Sequence, residues 1–438
     1  MKHTSPYILL INPWITDFAA YNFWIKPLGL LYIASLLREN GFRVTLIDCL
    51  DSHSKRKRHG DGNFFKTWIE KPEPLKSIPR YYSRYGISEE LLQGELSSIE
   101  KPDFVGITSG MTYWYPGLFK TIEIIKNFFK DVPVILGGIY ATLCYEHARK
   151  YSGADYIVKG RGEDEALRLI SELTDEKLRT NHSDIPIRNY PSFDLYPNPD
   201  FVCITTSRGC PLRCTYCASQ FLYDGFYKRS PEDVAEEIEY WATRYKINNI
   251  AFYDDALLMN PREHIVPILG DIVKRGIRCS FHTPNGLHIR EIDEELASLL
   301  YHAAFKTIRL GLETSHEATQ VETGGKVGNQ EFIRAARNLR RAGYSGEGIG
   351  VYIMVGLPGQ RAGEIEESIA FVREMDARPI IVEYSPIPHT HLFEKAKKMS
   401  QFDIENEPLY QNNSILPCQW EGFTLADYKR LKQNLRRR

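Results

Sequence analysis

"TTSRGCPLRCTYCAS" (residues 205–219) sets Cys210, Cys214 and Cys217 within one short loop of a 438-residue chain that has eight cysteines in all. Thiolates spaced four and three residues apart can converge on one metal centre without help from distant sequence. A structural zinc site needs four closing ligands, typically as two close pairs. No fourth Cys or His lies near this loop, and Cys203 falls back within the preceding strand. Three cysteines holding a cubane of four irons would instead leave one iron without a protein ligand, open to a substrate. Zinc is the alternative reading of the same trio.

The loop follows a strand-like run at 201–206 and precedes a helix opened by "SPEDVAEEIEYWATRY" (230–245), where Ser230 can cap, Pro231 takes the first turn and acidic residues follow. Further strands are expected at 248–253, 278–282, 306–312, 348–355 and 379–385, with helices near 263–275, 291–303, 329–343 and 363–376. Six parallel strand–helix units curl into a full or partial β/α barrel, whose chemistry sits at the C-terminal ends of the strands. The cysteine loop stands there.

Upstream, "YILLINPW" (7–14), "FRVTLIDCLD" (42–51), "DFVGITSG" (103–110), "VPVILGGI" (132–139) and "ADYIVKGRG" (154–162) alternate with helical stretches such as 27–41. Continuous apolar strands between helices imply a parallel sheet covered on both faces. The expected fold class is therefore α/β. A Rossmann-like domain spans 1–174, interrupted by a polar insertion at 52–102, and a linker with four prolines follows at 175–200. A partial (β/α)6 barrel spans 201–395, and a C-terminal segment, 396–438, ends in a basic, solvated helix.

Lys+Arg 55 against Asp+Glu 56 leaves a formal charge of -1, which argues against a general grip on nucleic acid or an anionic membrane. The start, "MKHTSPYILLINPW", shows no secretory signal, and no stretch approaches a membrane span. A cytoplasmic protein with reduced thiols is expected, its cysteines buried or ligating rather than disulfide-bonded.

"CPLRCTYC" (210–217) resembles the CxxxCxxC signature of the radical S-adenosylmethionine (SAM) enzymes. The resemblance implies that Cys210, Cys214 and Cys217 hold a 4Fe-4S cluster whose open iron chelates SAM. An electron from the cluster then cleaves SAM to a 5′-deoxyadenosyl radical. Tyr216 takes the family's aromatic position near the adenine. By the same resemblance, SAM contacts fall to Asp254 and Asp255 after the second strand, Asn285 after the third, and Glu313 and Ser315 after the fourth. Met354, Gly356 and Pro358 supply them after the fifth. The Asp pair could instead cap a helix, and the glycines could serve a tight turn. Two departures, Gly-Gln-Arg (359–361) for Gly-Glu-Thr and His389 where relatives have Pro-Gly-Thr, are read as active-site rim. Tyr384, His389 and His391 are candidate substrate contacts, with structural roles as the alternative.

The first domain resembles, in order, the cobalamin-binding domain that precedes the barrel in one large subfamily. The resemblance puts Asn12, Pro13, Trp14, Leu28, Gly29, Ser109, Gly110, Met111, Thr112, Gly137, Gly138, Tyr140 and Gly160 at the cobalamin. Asp-x-His-x-x-Gly is absent, and Ile139–Tyr140 stand where relatives have Pro-His, so Tyr140 is a candidate substitute donor. Tyr113, Trp114 and Tyr115 offer an aromatic floor, or plain packing. A remnant domain without ligand is the alternative.

Together these imply a cobalamin-dependent radical SAM methyltransferase acting on an unactivated carbon of a small-molecule or peptide substrate. It would be a monomer supplied with electrons by a donor such as flavodoxin or ferredoxin. The rivals are a non-methylating radical enzyme (cyclisation, ring contraction or oxidation) and a non-catalytic cobalamin or iron–sulfur sensor. RNA methylthiolation fits less well, because only Cys49 and Cys144 precede the linker.

Overall fold

Alternate residues of the first strand, β1 (Tyr7–Asn12), enter opposite apolar layers: Ile8 and Leu10 one, Leu9 and Ile11 the other. That two-sided burial is what a parallel sheet clad by helices demands. The computed structural model describes residues 5–51, 64–174 and 190–436. It resolves into two compact units, Met1–Asn198 with Glu405–Ser414, and Pro199–Ile404 with Ile415–Arg438.

In the first unit, β1 pairs in parallel with β2 (Arg43–Asp48) and β3 (Phe104–Ile107), and β4 (Val134–Leu136) and β5 (Tyr156–Ile157) extend the sheet in the order β2-β1-β3-β4-β5. Helices Leu28–Glu39 and Gly162–Thr174 cover one face, and Tyr115–Phe128 covers the other.

The polar stretch 52–102 contributes more than an insertion. Lys66–Ile69 and Tyr82–Tyr85 join Ile15–Asp17 in a three-stranded antiparallel sheet. Helix Glu89–Ser97, capped by Ser88, buries Leu92 and Leu96 in the main core. Two leucines a turn apart suffice to anchor a helix whose other faces are charged, so composition alone misjudged it. Residues 52–63 of that stretch and 175–189 of the expected linker lie outside the described residues.

The second unit carries six parallel strands: β6 (Val202–Ile204), β7 (Asn249–Phe252), β8 (Ser280–His282), β9 (Phe305–Glu313), β10 (Ile349–Val355) and β11 (Arg378–Glu383). They pair in sequence order, and β6 and β11 form the two edges of the sheet. Phe252, Phe281 and Phe305 fill the layer beneath the mouth, with ring centroids 5.4–5.5 Å apart. Ser230 accepts the amide of Asp233 at the start of helix Pro231–Arg244, as its sequence requires. The C-terminal segment 396–438 does not act as one piece. Residues 405–414 belong to the first unit, and the remainder packs with the second, ending in helix Leu425–Arg436. No helix among the described residues is long and apolar enough to cross a membrane.

Candidate functional site

The cysteine loop hangs from a short antiparallel ribbon, Ser207–Arg208 with Tyr227–Lys228. Gly209 makes the exit turn at φ +77°, and a Cβ there would lie 2.1 Å from the carbonyl oxygen of Gly225, so only glycine fits. Asp254, wholly buried at the end of β7, clamps the strand that feeds the loop. Its carboxylate accepts the amides and the hydroxyls of both Thr206 and Ser207 at 2.6–3.1 Å. His264 bonds the Thr206 hydroxyl at 2.8 Å. The far side is tied by Thr215, whose amide donates to Thr323 and whose carbonyl accepts from Leu392.

Three thiols therefore stand together beyond β6. Burial pushes Cys210 up and Cys217 up to about 11; Cys214 raises Cys210 further, and Cys214 and Cys210 raise Cys217. Thiols raised in this way are poor free nucleophiles, whereas a bound metal centre takes them as thiolates. Asp255 joins them. It accepts the Ser219 hydroxyl at 2.8 Å and keeps solvent access although protein crowds it, as on a concave wall. Burial raises its carboxyl. Among the described residues no three His, Cys, Asp or Glu side chains are grouped to hold a single ion.

Across the mouth, a register shift ends β9 and leaves Glu313 at φ +67°, a strained state for a residue other than glycine. Glu313 pairs with Lys326 at 2.5 Å, and the Lys326 ammonium sits 5.7 Å from the Tyr216 ring centroid. Burial opposes the lysine's charge. Glu313, Cys214 and Cys217 outweigh it and raise the ammonium's pKa overall. His288 brings Nε2 within 4.0 Å of the Cys210 sulfur. Burial, then Lys326, lowers its imidazole to about 4.

In the first unit, loops at the C-terminal ends of β3, β4 and β5 form a separate small-residue surface. Gly138, at φ +98°, lies so close to Ser109 that a Cβ would meet its backbone at 2.4 Å. The Ser109 hydroxyl donates to the Gly137 carbonyl and accepts the Ala141 amide. Around this knot the space is open. A Cβ on Gly29 or Gly160 would meet nothing within 4 Å, one on Gly137 only Val158 at 3.8 Å, and Met111 and Ile139 are exposed. Glycine at these positions leaves backbone open to a ligand.

Two family models match the chain, the radical SAM superfamily over residues 204–372 and the B12 binding domain over residues 95–170. The chain therefore carries a radical SAM domain. It is a radical SAM enzyme with a B12 binding domain ahead of the barrel. Among similar proteins, an uncharacterised methyltransferase of Pyrococcus horikoshii is 25% identical over 92% of this chain and 82% of its own length. The anaerobic magnesium-protoporphyrin IX monomethyl ester cyclase of Rubrivivax gelatinosus is 24% identical over 80% of this chain and 69% of its own. The radical SAM methyltransferase TsrM of Kitasatospora setae, solved with cobalamin and a 4Fe-4S cluster bound, shares the fold. Its TM-score is 0.66 at 17% identity, covering 91% of this chain and 76% of that one.

Within this radical SAM fold, Tyr216, Asp255, Glu313 and the three cysteines interact at one mouth, and several other expected contacts already have partners within the protein. Asp254 spends its carboxylate on Thr206 and Ser207, and Asn285 donates to the carbonyls of Tyr253 and Asp254. Ser315 is tied to the Ser368 hydroxyl at 3.0 Å. Gly356, at φ +82°, serves a turn closed by Gln360. The Gln360 amide oxygen accepts from Gly356 and Leu357 while its nitrogen donates to Met354. An ionised glutamate could not make that last bond, so Gln360 is a buried turn residue rather than rim. Pro358 lines a cavity with His316 and Leu392.

Tyr384 directly follows β11, its hydroxyl buried and without a hydrogen-bond partner among the described residues. His389, at φ +70°, and His391 are exposed.

In the B12 binding unit, Trp14 is core, its indole donating to Ile87. Pro13 and Thr112 are buried, Asn12 is bonded to Asp48 at 2.6 Å, and Leu28 is half-buried. Tyr140 is wholly buried and bonded to His147 at 2.6 Å, so it does not replace the missing histidine. A Cβ on Gly110 would strike the Trp114 ring. The aromatic floor is packing: Trp114 donates to Asp17, and Tyr115 to Glu407. Lys326 and His288 escaped the sequence reading. The signal for Lys326 was its place after the Gly324–Gly325 turn, which folds it back under the cysteine loop, where a Cβ on Gly324 would come within 3.1 Å of Cys214.

Proposed function

We propose that this radical SAM enzyme is a cobalamin-dependent methyltransferase acting on an unactivated carbon. The observation that carries the reading is the gathering of three thiols, Tyr216, Asp255 and the Glu313–Lys326 pair at the barrel mouth of a chain that also has a B12 binding domain. Cys210, Cys214 and Cys217 would hold the cluster, their buried thiols giving up protons to it. When bound, the cluster supplies the electron that splits SAM, and cobalamin serves as the methyl carrier. Asp255 would receive the SAM ammonium, Tyr216 would flank the adenine, and Glu313 keeps Lys326 neutralised beside the thiols. The glycines at 29, 137 and 160 would let a flat ring approach backbone. Tyr384 offers substrate a buried hydroxyl that the protein leaves unbonded. We further propose a cytoplasmic monomer, a small-molecule or peptide substrate, and flavodoxin or ferredoxin as electron donor.

The relative named as a cyclase favours a second reading, the same radical chemistry without methyl transfer. The test is anaerobic incubation of the reconstituted chain with cobalamin, methyl-deuterated SAM, dithionite and fractionated small molecules and peptides. The first reading expects 5′-deoxyadenosine together with deuterated methyl on a carbon product. 5′-Deoxyadenosine with no transferred label selects the second, and an intact cluster that never cleaves SAM removes both.

A further inference from the structure

We propose that His288 donates a hydrogen bond from Nε2 to the Cys210 sulfur and thereby raises the reduction potential of the cluster. The inference rests on the cluster assignment above. His288 is held stiffly: Leu287 bridges to Leu310 of β9, donating its amide to Arg309 and accepting that of Gly311, and the His288 carbonyl accepts from Glu291. The backbone is thus fixed, and the ring stands 4.0 Å from the sulfur, at the long end of nitrogen–sulfur contact.

The other ring nitrogen decides the tautomer. Nδ1 is buried and has no partner among the described residues. A proton there would be an unpaired buried donor, and Nε2 would turn a lone pair on an electron-rich thiolate. A proton on Nε2 points at the sulfur and leaves only a lone pair unserved. The same orphan argues against ligation of the open iron by His288, because metal-bound histidines almost always donate their second ring nitrogen to a carboxylate, carbonyl or water. Hydrogen bonds to cluster sulfurs withdraw electron density and stabilise the reduced state. His288 is therefore a positioning and tuning residue, acting through Cys210.

The experiment uses the full chain, reconstituted anaerobically, as wild type, His288→Phe and His288→Gln. Iron, sulfide and absorption are measured first: a wild type without cluster defeats the cluster assignment itself. With cluster present, redox titration followed by electron paramagnetic resonance, without SAM, is expected to shift the Phe variant to a more negative potential. Its reduced fraction should then fall several-fold at a fixed poise, and Gln, which keeps an amide donor, should recover most of it. Pulsed measurements on the reduced wild type should show a weak nitrogen coupling through the hydrogen bond. Equal potentials in loaded wild type and Phe variant, a strong coupling typical of iron-bound imidazole, or no nitrogen coupling would each overturn the inference. If the Phe variant does not load, the wild-type coupling decides.

Discussion

A carboxylate or imidazole taken out of water must be satisfied by neighbours, and Asp254 and His264 meet that need at the same hydroxyl, Thr206. His264 is 1% exposed, and burial, then Lys228, depresses its pKa from 6.5 to about 4. The unfolded chain therefore takes up this proton at a higher pH than the folded one. The stability from neutral His264 is complete above pH 6.5 and drains away as pH falls toward 4. Asp254 is raised by burial, so its own contribution runs the other way. Comparing wild type with His264→Gln isolates the histidine. Urea unfolding should show the wild type losing about 2 kcal/mol more than the variant between pH 7 and 4.5, and parallel curves would contradict it. The cysteine trio was legible because its spacing alone decides what it can hold. Asp254, Ser315, Gln360, Trp14 and Tyr140 were not, since each can face a ligand or a partner, and the partner is chosen by tertiary structure. Lys326 was harder to read for the converse reason: a lysine after two glycines looks solvated, and the turn that precedes it is only a weak signal.

The eleven parallel strands were visible as apolar runs, and the structure trims most of them at their ends, where turn residues take over. Helix Glu89–Ser97 was missed, because two buried leucines give too weak a pattern against its charges. The register shift that turns Glu313 into the mouth leaves no mark in composition either. The glycine before Cys210 is the element-scale feature on which the cysteine loop depends. Gly209→Ala would drive a methyl into the Gly225 carbonyl at a φ that L-residues avoid. Circular dichroism should stay near wild type while iron content after reconstitution falls by more than half. Gly270→Ala is the control. It lies in helix Ile265–Lys274 with nothing within 4 Å of the added Cβ, and should raise stability by about 0.5–1 kcal/mol. Full iron loading in Gly209→Ala would show that the tight turn is dispensable.

At the scale of the whole chain, the unforeseen feature is the return of residues 405–414 to the first unit after the barrel is complete. No local pattern could announce it, because its central contact joins Asn412 to Asp17 across 395 residues. Asp17 is 2% exposed, and burial raises its carboxyl pKa against the pull of Asn412, Trp114 and the Phe18 amide. Asn412 is itself wholly buried and donates at 2.8 Å. Removing it leaves a buried carboxylate short of a donor, a deficit worth about 1–3 kcal/mol. Asn412→Ala should therefore lower the stability of the first unit by that amount. Hydrogen exchange should quicken along Ile15–Asp17 and its paired strand Tyr82–Tyr85. The cysteine loop lies in the other unit and shares none of these bonds, so iron content and cluster absorption should match wild type. Unchanged exchange in both strands would mean that the returning segment merely rests on the surface, and that Asp17 is satisfied without it.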